Sequence, residues 1–288
     1  MKQGIVWRAL ALLAALAVAQ AATAQGPAEV HKQVEISLLV HGEITVDERG
    51  TMAEYALDEQ DKLPKQAVAF IRESLTSLAF KPPQLDGKPV KLRNRMSLLV
   101  VAEEAEPDRY VMRLQAASFF PEASEAGYEI SSGKLKPPAY PETAAYFGVQ
   151  GTVYLVLKIG RDGRVQDAMA EQVNLRAVDT PKMMARLRKE FADASIKAAR
   201  RWEFNPPTRG EEADAEFWTV RVPTDFFMAG QEVAYGRWVA YVPGPRTKPA
   251  WLAPELAAGS PEAMVAGVPH ALGEGGLQLL TPLGKSGS

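Results

Sequence analysis

The segment Arg161-Asp162-Gly163-Arg164 constrains this chain more than any other. Asp-Gly is a strong two-residue hairpin signal, because the turn needs a positive φ that Gly adopts without a steric penalty. Ahead of it, Val153, Leu155, Leu157 and Ile159 alternate with Tyr154, Val156 and Lys158, the period-two pattern of a strand with one face more deeply buried. A return strand is predicted over Val165 to Val173. Thr180-Pro181 then opens a helix, with Thr as N-cap and Pro at the first helical position, where its missing N–H is not needed. Met184, Leu187, Phe191, Ala194, Ala198 and Trp202 fall on one stripe of this helix, and Arg186, Lys189, Lys197, Arg200 and Arg201 on the other side. That basic side is a solvated face or a partner surface. Pro206-Pro207 ends the helical region, and Ala215 to Val222, rich in aromatic and β-branched residues, is the next strand, closed by Pro223.

An earlier stretch follows the same plan. Val34 to Val46 is strand-like, Glu48-Arg49-Gly50 turns, and Met52 to Leu57 returns. Leu63-Pro64 opens a helix with Ala67, Val68, Ile71, Leu75 and Leu78 on one face. Phe80-Lys81-Pro82-Pro83 answers Phe204-Asn205-Pro206-Pro207. Gly87 and Gly210 follow, and a strand is predicted at Arg95 to Ala102. Gly50 and Phe80 are 30 positions apart, Gly163 and Phe204 41, so the second copy has the longer connection. The expected fold class is α+β: two tandem units, each a small antiparallel sheet packed on one helix. Tyr110 to Phe120 is a further apolar stretch whose place the sequence leaves open.

Composition narrows the chemistry. Of 288 residues, 33 are Lys or Arg and 35 Asp or Glu, a net charge of -2, so there is no basic field to hold nucleic acid. Zero Cys and three His remove thiol nucleophiles, Cys-based zinc sites and disulfides. His31, His41 and His270 are not at ligand spacing, and no G-x-S-x-G, H-E-x-x-H or P-loop is present. Glu103, Glu104 and Glu106 cluster near Asp108, as solvated turns often do. No cofactor, metal site, catalytic residue or small-molecule substrate is expected, and the chain is not expected to be an enzyme.

At the N-terminus, Lys2 and Arg8 precede an Ala, Leu and Val run from Ala9 to Ala19, and Ala22-Thr23-Ala24 is a small-x-small cleavage pattern. Residues 1–24 therefore read as a signal peptide cut after Ala24, or as a retained anchor, and the rest as exported. No later stretch has membrane-spanning length. Residues 25–130 form the first unit, 131–229 the second, and 230–288 a Pro- and Gly-rich tail. In the tail, Arg237 to Arg246 is predicted to form a strand that docks on a domain. Disorder is expected from Glu255 onward, marked by Gly273-Glu274-Gly275-Gly276 and the Gly-Lys-Ser-Gly-Ser end.

The second unit resembles the TonB C-terminal domain family over about residues 134–228. The resemblance is carried by Pro138-Ala139-Tyr140-Pro141, Gly148-Val149-Gln150-Gly151-Thr152-Val153, Asp162-Gly163-Arg164-Val165, Trp202-Glu203-Phe204-Asn205-Pro206 and Val220-Arg221-Val222-Pro223 with Phe226. The first unit looks like a degenerate relative, with the turn glycine and F-x-P-P but no Tyr-Pro box. The family resemblance implies capture of an outer-membrane receptor segment as an added strand. On that resemblance, Tyr140 and Pro141 lie near the partner, and the last strand, Phe217, Trp218, Thr219, Val220, Arg221 and Val222, offers the edge. Alternatively, Tyr140-Pro141 packs the incoming chain on the sheet and the strand is simply core.

Two departures set this chain apart from the family's energy transducers. A folded unit stands where they have a Pro-rich spacer, and the N-terminal apolar run lacks their Ser and His. The expected protein is thus a periplasmic, non-enzymatic binding module for a cell-envelope protein, self-association being a further use of the same edge. The alternative is an inner-membrane-anchored TonB-type transducer for transport across the outer membrane.

Overall fold

Each turn glycine is locked against the chain that follows its helix. The computed structural model describes residues 26–85, 87–106, 109–121, 127–254, 256, 260–272 and 277–283. The proposed signal segment, with Ala22 and Ala24, lies outside the described residues. After a short helix α1 (Pro27–His31), strands β1 (Glu35–Val46) and β2 (Met52–Leu57) form the first hairpin, and helix α2 (Lys65–Thr76) follows. Strands β3 (Leu92–Glu106) and β4 (Arg109–Pro121) complete the sheet, β3 pairing with β1 and β4 with β3, all antiparallel. Leu38, Val40, Ile44 and Val46 alternate along β1 and pack with Ala67, Ile71 and Leu75 of α2 in one core. Tyr110–Phe120, unplaced by the sequence, is the body of β4.

The second sheet is built the same way. Helix α3 (Glu142–Tyr146) leads into β5 (Gly151–Gly160), β6 (Val165–Leu175), helix α4 (Pro181–Ala199) and β7 (Phe217–Phe226). β5 is central, antiparallel to β6 and β7. Thr180 Oγ1 accepts the Met183 N–H at 3.3 Å, the N-cap read from the sequence. Met184, Leu187, Phe191, Ala198 and Trp202 are buried against Leu155, Leu157, Val220 and Val222, while Arg186, Lys189 and Lys197 of α4, and Arg200 and Arg201 just past it, are exposed. Pro223 does not close β7 as predicted: the strand runs on to Phe226, with Pro223 opposite Tyr154.

Gly50 and Gly163 have φ of 82° and 74°, and a Cβ at either would collide with the carbonyl oxygen of Phe80 or Phe204 respectively. Phe80 N–H donates to Gly50 O at 2.9 Å, and Phe204 N–H to Gly163 O at 2.8 Å. Both Phe rings are buried, so one local device ties each hairpin turn to the strand after its helix. The molecule is α+β, with antiparallel sheets and a few helices.

The tail binds both sheets. Strand β8 (Val239–Tyr241) pairs with the β1 end at Glu35–Ser37, leaving β2 to the other end of the same edge. Val242 then exchanges backbone hydrogen bonds with Leu175, and Thr247 N–H donates to Glu171 O at 2.8 Å, covering the β6 edge. Strand β9 (His270–Ala271) adds to β7, and Leu279 bridges Phe80. The strand expected over Arg237–Arg246 is confined to its middle three residues. The Gly-rich markers of expected disorder, residues 273–276 and 284–288, lie outside the described residues. Between them and before them, however, Ala263, His270 and Leu277 are buried, because apolar and paired positions there close gaps left by the two sheets.

Candidate functional site

In an antiparallel strand the N–H and C=O of one residue point to the same side. On β7, Thr219 O accepts the Leu272 N–H at 2.9 Å and Pro223 O accepts the Gly267 N–H at 2.8 Å. Thr219, Arg221 and Pro223 therefore face away from β5. Pro223 is tolerated because its missing N–H falls on this outer side and costs the β5 ladder nothing; proline inside a strand is the mark of an edge. The tail occupies this edge from Thr219 to Pro223, pairing as a strand where Val220 lies opposite Ala271 and Arg221 opposite His270.

The side chains of β7 divide by parity. Trp218, Val220, Val222 and Phe226 enter the core under α4. On the other face, the Lys158 ammonium sits 4.1 Å from the centre of the Phe217 ring. Arg221, 2% exposed, makes a two-pronged contact with Glu171, Nε to Oε2 at 2.7 Å and Nη2 to Oε1 at 3.0 Å. Arg246 of the tail adds Nε to Glu171 Oε1 at 2.7 Å. Burial pulls the Arg221 guanidinium down from its ordinary value, and Glu171 opposes that.

The six predicted edge residues thus form one continuous strand. Tyr140 and Pro141 lie elsewhere. The Tyr140 ring meets Phe191 and Phe226 edge-on at 5.8 and 5.5 Å, and its hydroxyl donates to Val149 O at 2.7 Å, which anchors the incoming chain at the far end of β7. Pro141 precedes the first residue of α3. Sequence reasoning missed β9, Glu171 and Arg246. The signal for the edge is Pro223 inside a β-rich run, which a strand interior paired on both sides excludes. The His270 ring lies edge-on to Phe120 at 5.4 Å with Nε2 3.1 Å from Val265 O, and burial lowers its pKa.

No group of three His, Asp or Glu among the described residues is arranged to hold a metal, and no helix among them is long and apolar enough to cross a membrane. What β7 can exchange is backbone hydrogen bonds. Comparison with known proteins agrees with the sequence motifs: over 104 residues the chain is 32% identical to the protein TonB of two strains of Xanthomonas campestris pv. campestris. The chain carries a TonB C-terminal-like segment. The match covers 36% of this chain and 40% of each TonB, so the chain spans about two fifths of the length of these relatives. Among solved structures, the solution structure of the Pseudomonas aeruginosa TonB C-terminal domain is 20% identical, over 36% of this chain and 91% of its own, with a TM-score of 0.25. No family model matches the chain.

Proposed function

We propose that this protein is an exported, non-enzymatic adaptor of the cell envelope whose TonB-like half captures an extended segment of a protein partner by strand addition to β7. The supporting observation is the β7 edge itself. It is marked by an outward Pro223 and held by a two-residue strand of the chain's own tail with the Gly267 N–H on Pro223 O, which a longer incoming strand reaching Phe217 and Asp225 can replace with more hydrogen bonds. The TonB resemblance makes an outer-membrane receptor the first partner to try. On this reading residues 1–24 direct export, 25–130 and 131–229 are two units of one plan, supported by the shared Gly-to-Phe lock, and 230–288 is a tail that regulates access.

The test uses the mature chain from Gln25 and N-terminal peptides of outer-membrane receptors, followed by NMR. Binding at β7 shifts the Thr219 and Arg221 amides and removes protection from the Leu272 N–H. Absence of binding, or shifts confined elsewhere, overturns the proposal. A second reading, a membrane-anchored energy transducer, is favoured by the name of the curated relatives. A soluble periplasmic form beginning at Gln25 removes it; a membrane-bound form with an intact N-terminus supports it.

A further inference from the structure

A cavity of about 300 Å³ lies between the two sheets, walled by Leu39 and His41 of β1, Leu99 of β3, Asp225 of β7, Arg176 just past β6, and by Phe227, Tyr235, Val239, Tyr241, Glu262 and Met264 further along the chain. That volume is at the lower end of small-molecule pockets, and a seam between two packed sheets is a common place for one. Its polar groups are unevenly matched. Thr152 donates to Asp225, and Glu262 accepts from Asn174 at 2.6 Å and from the Tyr241 hydroxyl at 3.3 Å, so the buried carboxyls have partners. Burial also pushes both carboxyls upward, toward their neutral forms.

Arg176 differs. Arg221 is paired with Glu171, Arg188 with the carbonyls of Val173 and Pro243 at 3.2 and 3.1 Å, and Arg113, whose two terminal nitrogens are buried without hydrogen bonds, still has Nε on Glu103 at 2.9 Å. The Arg176 guanidinium has no hydrogen bond or ion pair among the described residues. Its Nη1 is buried without a partner, and the Phe227 ring covers it with 4.6 Å from the guanidinium carbon to the ring centre. Asp225 attracts this charge across the cavity without hydrogen-bonding to it, and burial still lowers the guanidinium below its ordinary value; holding a cation out of water with its donors unpaired is costly. A carboxylate is the group that fits a planar guanidinium fork with two parallel bonds. Leu39, Leu99, Val239 and Met264 supply apolar wall for the rest of such a molecule.

We propose that this cavity binds a small amphipathic carboxylate, its head group on Arg176 and its apolar body between the sheets. The site adjoins the end of β7 at Pro223 and Asp225 but needs no added strand, so it stands or falls without the strand-addition reading. The probe is octanoate, with 1-octanol as its uncharged counterpart, titrated calorimetrically into the mature chain. Octanoate is expected to bind about tenfold more tightly than octanol, and Arg176→Gln to remove that preference while leaving octanol binding unchanged. The Phe227 ring and the Leu39 and Leu99 methyl signals should shift on titration. Leu39→Trp, which fills the space and keeps the guanidinium, should weaken both probes together and serves if Arg176→Gln does not fold. The proposal is overturned by equal affinity for the two probes, by no octanoate binding at about 5 mM, by shifts elsewhere only, or by Arg176→Gln or Leu39→Trp folding with octanoate affinity intact.

Discussion

At Gly163 one added carbon meets a backbone oxygen that cannot move without dragging Phe204 out of the core. Gly163→Ala combines that collision with a left-handed backbone, and is expected to cost at least about 2 kcal/mol in thermal unfolding, with Gly50→Ala alike. The requirement is local, which is why the Asp-Gly turn was legible from two adjacent letters. The Glu171 cluster was not. Its members come from β6, β7 and the tail, and no local spacing announces that Arg221 and Arg246 converge on one carboxylate. Glu171→Gln removes the buried carboxylate that Arg221 and Arg246 share; a loss of about 3–5 kcal/mol in chemical denaturation is the expected result. A loss below 1 kcal/mol, on the order of an exposed pair, would show that water reaches Arg221 in solution.

Among the elements, hairpins and helices followed from periodicity, since β1, α2 and α4 each bury one face of an amphipathic pattern; β5 is buried on both, Tyr154 and Val156 included, because the tail covers its second face. β9 did not, because two residues have no period. Its hold on β7 is correspondingly light: Leu272→Pro deletes the donor to Thr219 O and should lower protection of the neighbouring amides by about tenfold in hydrogen exchange, with the global melting point little changed. Acid should act on the same element through His270. Burial lowers its folded pKa below 6.5, so docking is at full strength above that value and weakens as the pH falls and the undocked tail binds the extra proton. The nearby His41 charge pushes in the same direction. Glu262, also in the tail, works oppositely, since burial raises its pKa above 4.5 and favours docking at lower pH. Comparing wild type with His270→Gln by exchange at about pH 5 and pH 8 isolates the histidine part; the acid-induced loosening should be smaller in the variant.

For the whole molecule, the tail decides whether two sheets behave as one body. β8 on β1, Val242 on Leu175 and β9 on β7 join them through backbone bonds. Calorimetry of the chain from Gln25 should therefore give one transition, and a chain ending after Ala229 two, at lower temperatures. A milder truncation, after Gly259, keeps β8 and frees β7; sedimentation should then show weight-average mass rising with concentration, which the uncut chain does not do. Composition read this segment as loose because Pro and Gly dominate it, yet these residues also suit a strap that must bend between short pairings. The strap has a bearing on biosynthesis. Strands β8 and β9 follow every other strand described, so during synthesis the two sheets reach the point of folding with the β1 margin of one and the β6 and β7 margins of the other bare. Only the arrival of the last few dozen residues seals them, which makes the interval before completion the stage at which this protein most needs shielding from its neighbours.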